Sequence, residues 1–204
     1  MPAQPALGLD GFNRSSERQR MHLLFGICSS PIWARRVLAG GPFSDADALL
    51  DRADRVLAEL PDAELDAALD GHPRIGGKVD NAASAREQAG VASAGDDVRA
   101  ELTARNRAYE DRFGYVYLVC ASGRSADELL AILTERLGND PETERRVMRS
   151  ELAKINRLRL QRLLSEPGEA GSTACASRPT SSTPSPASPP PACPSHCSTP
   201  DTPC

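Results

Sequence analysis

Apolar residues recur three and four positions apart along most of residues 15–164, which is the spacing of amphipathic helices. The predicted helices are one capped by Ser15 or Ser16, one at 32–38, one opened at 44–47 and ended by Pro61, one capped by Asp62, one from Asp96 or Asp97 to Arg112, one at 127–137 and one at 142–164. The apolar side of the first carries Met21, Leu24, Phe25 and Cys28. The chain is therefore expected to be mostly helical.

One run, YVYLVCA at 115–121, departs from the helical spacing. Its β-branched and aromatic residues favour a strand. Because the sequence offers no second strand to pair with it, we predict a buried extended segment or the start of a helix. The expected fold class is accordingly all-α, a single-domain helical bundle.

Composition narrows the class of protein. A chain of 204 residues with 40% hydrophobic residues and a net charge of −4 is ordinary for one soluble domain. No basic patch is interleaved with aromatic residues, so we expect no nucleic-acid partner. No run approaches twenty apolar residues, and the N-terminus lacks the features of a signal peptide, so we expect no membrane partner and a cytoplasmic location.

Residues 168–204 differ from the rest in composition. Nine of the 17 prolines lie in these 37 residues, and most of the others are Ser, Thr, Ala and Cys. Such a segment cannot bury enough apolar surface to fold, so we predict a helical domain at 1–167 and a disordered tail at 168–204. Of the six cysteines only Cys28 and Cys120 lie in the domain, and both are expected to be reduced.

The stretch from Gly71 to Gly90 carries the candidate chemistry. It contains His72, the only histidine between residues 23 and 195, and Glu87 fifteen positions later. Three glycines and a proline lie close to the histidine: Gly71, Gly76, Gly77 and Pro73. These residues predict a shaped loop between helices that presents a group titrating near neutral pH. A structural alternative is that Ser84 and Glu87 form a capping box at a helix start.

Arg159 interrupts the apolar stripe of the last predicted helix. At 100° per residue it lies four positions after Ile155 and four before Leu163, whereas Arg157 and Arg162 fall outside the stripe. An arginine facing the core needs an anionic or hydrogen-bonding partner. Either an internal salt bridge or a ligand carboxylate satisfies this requirement.

Several short motifs occur in order at fitting separations. They are HPRIG at His72–Gly76, SAREQAG at Ser84–Gly90, NRAYEDRFGY at Asn106–Tyr115 and KINRLRL at Lys154–Leu160, preceded by FGICSSPIW at Phe25–Trp33 and GPF at Gly41–Phe43. Together they resemble the 2-oxo-4-hydroxy-4-carboxy-5-ureidoimidazoline (OHCU) decarboxylases, enzymes of urate breakdown. The resemblance covers roughly residues 8–165.

The resemblance implies cofactor-independent decarboxylation of OHCU to S-allantoin and CO2, with no metal. It implies His72 as general acid/base and Glu87 as its partner or as a contact to a substrate N–H. The substrate-binding residues it implies are Pro73, Ser84, Gln88, Arg159 and the backbone of Tyr117, Leu118, Val119, Cys120 and Ala121. Family members are commonly dimeric, so a homodimer is expected, with a small ureide as the other partner.

Two other functions remain open from the residues alone. A catalytically silent helical ligand-binding or interaction protein would not need both His72 and Glu87, which are present. A hydrolase acting on a related ureide normally needs an activated water and a metal cluster, and no motif for one is visible.

The tail has a further feature. Written with GC-rich codons, Arg178 to Cys204 can be read in another frame as PDVLDTVTGQPAAGLPVTLLDAGHPV, which resembles the start of transthyretin-like hydroxyisourate hydrolases. That enzyme precedes OHCU decarboxylase in the same degradation and is sometimes fused to it. We therefore hypothesise that the tail is a frameshifted fusion partner, a reading that the gene sequence tests.

Overall fold

A computed structural model describes residues 7–69, 72–76, 82–92 and 94–165, which form α-helices and no strand. The helices are α1 Gly8–Arg14, α2 Glu17–Cys28, α3 Pro31–Leu38, α4 Ala46–Ala58, α5 Asp62–Leu69, α6 Ala82–Glu87, α7 Ala89–Ala92, α8 Asp96–Phe113, α9 Ala126–Arg136 and α10 Pro141–Leu164. The all-α prediction is confirmed. No helix in the described ranges is long and apolar enough to span a membrane. Gly71, Gly77 and the predicted tail lie outside the described residues.

Side-chain caps fix most helix starts where the sequence placed them. The Ser16 and Ser125 hydroxyls each accept from the third helical N–H and close reciprocal capping boxes on α2 and α9. The Asp140 carboxylate likewise accepts from the third helical N–H of α10, ahead of a proline at the first helical position. The predicted Asp cap of α8 is wrong. Its N-cap is Gly95, and the two aspartates lie in the first turn, where their charge favours the helix dipole.

The first hydrophobic core lies between α1 to α5 and α10. Its largest fully buried side chains are Trp33, Phe12, Leu24, Leu49, Leu57, Leu65 and Leu69. One predicted core residue is wrong, because Phe25 is 44% exposed while Ile27 is buried in its place. The apolar face of α2 is therefore centred on Leu24, Ile27 and Cys28.

A second core forms around α8 and α9 and contains Leu102, Tyr109, Leu129 and Leu133. The 115–121 run contributes side chains to both cores and is neither helix nor strand. Its odd positions, 117, 119 and 121, are buried in the second core, and Leu118 is buried in the first. This two-sided burial explains a strand-like sequence in a helical protein. Of the two predicted alternatives, the start of a helix is wrong, and the predicted burial is confirmed.

Charged side chains bond the backbone of this segment in place of a neighbouring strand. Arg136 Nη1 donates to the Leu118 carbonyl at 2.8 Å, and Glu151 Oε2 accepts from the Cys120 N–H at 2.8 Å. Arg136 is itself paired with the fully buried Glu144, which also accepts from the Tyr109 hydroxyl. The buried ion pair thus connects α8, α9 and α10 to the extended segment.

The 71–90 stretch was predicted to be a loop, but part of it is helical. The chain turns after α5 through residues 72–76, with Gly76 at a φ of +75°, and the stretch later forms α6 and α7. Ser84 is the third residue of α6, so the capping-box alternative is wrong. Its side chain is instead buried, facing α10.

Gly90 sets how closely α7 approaches the turn after the extended segment. A Cβ atom at this position would lie 2.1 Å from the Arg124 carbonyl oxygen, and backbone cannot yield as a side-chain end can. We expect Gly90→Ala to separate α7 from this turn and to lower the melting temperature by several degrees, in line with about 1–3 kcal/mol for overpacking. Gly95→Ala, where a Cβ meets no atom within 4 Å, is the matched control. Equal melting temperatures for both variants would contradict the close approach.

Candidate active site

Arg159 of α10 brings the predicted site residues together. Its Nε and Nη2 donate to the two Glu87 oxygens at 2.9 and 2.8 Å, a bidentate pair with side chains 11% and 9% exposed. Its Nη1 donates to the Ile27 carbonyl at 2.9 Å, which fixes the guanidinium plane against the end of α2. Nη2 also lies 3.5 Å from the Ser84 hydroxyl. The acidic neighbour that a buried arginine requires is therefore Glu87.

The His72 ring is oriented by α5 and faces the arginine. Its Nδ1 lies 3.0 Å from the Ala68 carbonyl oxygen, which can only accept, so Nδ1 carries the proton. Its Nε2 lies 3.4 Å from Arg159 Nη1. Ala68, and not Glu87, therefore holds the ring. The neutral ring presents an unprotonated Nε2 to the site.

The environment keeps His72 neutral. Burial, and then the Arg159 charge, lower its pKa from 6.5 to about 4, against smaller opposing effects of the Ala68 bond and the Glu87 charge. At neutral pH the imidazole can therefore accept a proton at Nε2, so it begins a reaction as a base. The ordinary histidine pKa expected from the sequence does not apply to the free protein.

The lowered pKa predicts a pH dependence of stability. Between pH 6.5 and about 4 the unfolded chain binds a proton at His72 and the folded chain does not. The free energy of unfolding should therefore fall as pH falls through this window, by about 3 kcal/mol for this residue. Denaturant unfolding at pH 7 and pH 4 measures how much free energy of unfolding each protein loses between the two pH values. This loss should be smaller in His72→Asn than in wild type by that amount. Equal losses in the two proteins would contradict the assignment.

The turn that carries His72 is fixed from two sides. Gln88 Oε1 accepts from the Gly76 N–H at 3.0 Å, and Asn106 Nδ2 donates to the Ile75 carbonyl at 2.9 Å. Gln88 is thus bonded to the turn, and Pro73 is half-buried beside the histidine. The motifs around 72–76, 84–90 and 106–115 meet here in three dimensions.

The 115–121 segment approaches the site at Cys120, where the charge of Glu87 contributes to raising the pKa of the thiol. The side chains of Tyr117 and Val119 are buried in the second core and that of Leu118 is buried in the first. The Leu118 carbonyl and the Cys120 N–H are bonded within the protein. A substrate-binding role for the backbone of 117–121 stays a prediction.

Both cysteines of the described residues are free, as predicted. Cys28 is fully buried beside Asn156 and Arg159, and burial raises the pKa of its thiol to about 12. Burial also raises the pKa of the half-buried Cys120 thiol. Neither sulfur is a thiolate nucleophile at neutral pH.

Sequence reasoning missed several residues that build the site. Arg162 Nη1 lies 3.5 Å from Glu87 Oε1, although the residue was placed outside the stripe. Arg136, Glu144 and Asn106 were also missed. A signal existed, because Arg136 follows Leu129 and Leu133 at helical spacing and is therefore on their buried face.

A pocket of about 440 Å³ opens elsewhere on the described surface. It is lined by Leu7, Ser15, Arg18, Gln19, His22 and Leu23. It contains none of the predicted site residues, and no carboxylate lines it. The candidate chemistry therefore lies at His72 and Arg159. Among the described residues no group of three or more His, Cys, Asp or Glu side chains could hold a metal ion.

Comparison with known proteins bears on the family. The family model described as OHCU decarboxylase matches residues 13–161. An OHCU decarboxylase of Amia calva is 40% identical over 74 residues, 36% of this chain and 41% of the relative. A uric acid degradation bifunctional protein of Bacillus sp. (strain TB-90) is 28% identical over 168 residues, 80% of this chain and 33% of the relative. Each match spans less than half of the relative's own length.

Solved structures share the fold. The chain matches a crystal structure of OHCU decarboxylase in the presence of (S)-allantoin with a TM-score of 0.65 and 25% identity, over 74% of this chain and 100% of that one. A structure of (S)-allantoin synthase, 18% identical, matches with a TM-score of 0.62 over 76% of this chain and 53% of that one, which supports the fold alone. Together with a family match across nearly three quarters of the sequence, these likenesses show that the chain belongs to the OHCU decarboxylase family.

Proposed function

We propose that this protein is a carboxy-lyase that converts OHCU to S-allantoin and CO2 in urate degradation, a branch of purine catabolism. The observation that carries the proposal is the cluster of Arg159, Glu87 and His72, assembled from α10, α6 and the turn after α5. It combines a cation for a substrate carboxylate with a neutral imidazole held in one tautomer.

The proposed substrate contains its own electron sink. Its carboxylate is on a ring carbon that also bears a hydroxyl and neighbours a ring C=N bond. When the bond to the carboxylate breaks, its electron pair forms a C=C bond and displaces the C=N pair onto nitrogen. That nitrogen takes up a proton, and loss of the hydroxyl proton together with protonation of the ureido-bearing carbon then gives allantoin. One proton is consumed for each carboxylate that leaves as CO2, and the chemistry itself requires no cofactor.

Arg159 and His72 are assigned complementary roles. The Arg159 guanidinium binds the substrate carboxylate and orients it in a bidentate contact, for which the free protein substitutes Glu87. His72 Nε2 accepts the hydroxyl proton and returns a proton to one face of the new carbon centre. The Nδ1 bond to Ala68 fixes the ring plane and supports its positive charge while the proton is held.

The remaining residues are assigned to recognition and placement. Ser84, beside Arg159, binds a ureido or ring amide, and Glu87 binds a substrate N–H once it is released from the arginine. Gln88 and Pro73 shape the wall around the histidine. The backbone of 117–121 forms the opposite wall near Cys120.

The direct test is CO2 release from freshly generated OHCU. We expect release well above the rate of spontaneous decay, and we expect it to survive dialysis against a chelator because no step uses a metal. Heat-denatured protein is the control. Activity that disappears on chelation and returns with a metal ion would contradict the cofactor-free mechanism.

Several further expectations remain proposals. We infer a cytoplasmic location and a homodimer, and sedimentation of the purified chain tests the second. We also propose that the domain ends near residue 167 and that 168–204 is a disordered tail derived from a frameshifted hydroxyisourate hydrolase. The family match ends at residue 161, which supports the first boundary. A gene sequence that does not encode the alternative reading in another frame would contradict the frameshift hypothesis.

A further inference from the structure

Glu87 faces two arginines of α10, not one. Arg159 makes the bidentate pair, and Arg162, one helical turn later on the same side, places Nη1 3.5 Å from Glu87 Oε1. This separation is longer than an ordinary hydrogen bond of about 2.9 Å. In the structure Arg162 is therefore within ion-pair distance of the carboxylate but makes no hydrogen bond to it.

No acceptor in the described part of the chain is hydrogen-bonded to Arg162 Nη1. Nη1 is buried and has no hydrogen-bond partner there. A buried guanidinium N–H without a hydrogen-bond acceptor is unfavourable, more so than a neutral donor. Arg157, by comparison, is bonded to Asp54 and lies near Asp51 on α4, while its side chain, 37% exposed, is about as accessible as that of Arg162, 31% exposed.

Substrate binding would leave the Glu87 carboxylate in need of a new cationic partner. This argument rests on the proposed function, in which a substrate carboxylate displaces Glu87 from Arg159. Within the described residues four charged or titratable groups face Glu87: Arg159, Arg162, His72 and Cys120. Once Arg159 is engaged, Arg162 is the remaining cation among these four described groups, because His72 and Cys120 are uncharged at neutral pH.

We propose that Arg162 is a positioning residue that becomes the partner of Glu87 when substrate binds Arg159. The Nη1 to Oε1 distance needs to shorten by roughly 0.6 Å, which side-chain rotation supplies without backbone movement. The exchange leaves no buried charge unpaired at any stage. It also keeps the Glu87 carboxylate beside His72, where its charge favours the protonated imidazole that forms during turnover.

The test compares pH profiles of Arg162→Gln and wild type with freshly generated OHCU. The profile of kcat/KM reports groups of the free enzyme, in which Arg159 still pairs with Glu87, and that of kcat reports the substrate complex. In the substrate complex the acidic limb of kcat reports protonation of the base His72, and removal of the Arg162 cation favours that protonation. We therefore expect the limb to move to higher pH by about one unit or more in Arg162→Gln. The limb of kcat/KM should stay in place.

Matched variants separate this role from a structural one. Arg162→Lys keeps the charge and should return the kcat limb to its wild-type position. Arg162→Met keeps the aliphatic stem, should show the shift, and replaces Arg162→Gln if the latter does not fold. Arg157→Gln, on the same helix but paired with α4, should show neither shift.

Two results would overturn the inference. One is a kcat profile of Arg162→Gln or Arg162→Met that coincides with wild type, and the other is an equal shift in Arg157→Gln. Failure of the proposed function is distinguishable, because wild-type protein would then release no CO2 above spontaneous decay. In that case the inference falls with it.

Discussion

His72→Asn is expected to reduce the rate of OHCU decarboxylation by about 10²- to 10⁴-fold, the range of general acid–base catalysis. Asparagine is uncharged and polar like the neutral imidazole but cannot exchange a proton near neutral pH. Because His72 lies outside the helices, in the described turn at residues 72–76, the helical circular dichroism should be unchanged. Steady-state CO2 release measures the first expectation, and far-ultraviolet spectra the second.

His22→Asn supplies the matched control for this variant. His22 is exposed on α2 and none of the contacts of Arg159 or Glu87 involves it, so its substitution should leave turnover unchanged. Near-wild-type turnover in His72→Asn would remove this histidine from the mechanism. The catalytic role would then have to be reassigned to Arg159 and Glu87.

Arg159→Lys is expected to lower kcat/KM by one to two orders of magnitude, roughly 1.4–2.8 kcal/mol of transition-state stabilisation. Lysine keeps the charge but loses the planar pair of donors that contacts both Glu87 oxygens and the third donor that reaches Ile27. The substrate carboxylate should therefore bind more weakly and in a less defined orientation.

Arg157→Lys is the control for this substitution. Arg157 lies two positions away on α10 and pairs with Asp54 on α4, and exposed pairs of this kind contribute little. Its kcat/KM should remain close to wild type. Equal effects of the two substitutions, or a loss of stability alone in Arg159→Lys, would make Arg159 a structural salt-bridge residue.

Helical periodicity was sufficient to predict most of the fold. Leucines at helical spacing and hydroxyl or carboxylate caps place α2, α9 and α10 to within a few residues, because both signals are local in sequence. Phe25 shows the limit. One residue on a helix rim can belong to either side, and only the packing of α2 against α3 and α10 decides which.

Periodicity also selected Arg159, since a charge in an apolar stripe must find a partner. It could not select Glu87 as that partner, because the two residues are 72 positions apart and their contact depends on tertiary packing. The lowered pKa of His72 was equally inaccessible. It follows from burial and from a cation brought by α10, neither of which is written in the residues around position 72.

The extended segment shows a different kind of gap. Its composition indicated a strand, and the absence of a partner strand indicated that something else bonds its backbone. The side chains that do so, Arg136 and Glu151, lie on α9 and α10. Arg136 lies at helical spacing from Leu129 and Leu133, and Glu151 lies at helical spacing from Met148 and Ile155. Attention to charges on apolar faces would therefore have identified both.

The most direct test of the central claim is the optical activity of the allantoin formed from freshly generated OHCU. Spontaneous decay protonates either face of the planar carbon, whereas His72 at a fixed orientation protonates one. We predict that wild-type protein yields S-allantoin in large enantiomeric excess and that His72→Asn yields close to racemic product. Racemic allantoin from wild-type protein, at the rate of the uncatalysed reaction, would contradict the assignment of this chain as an OHCU decarboxylase.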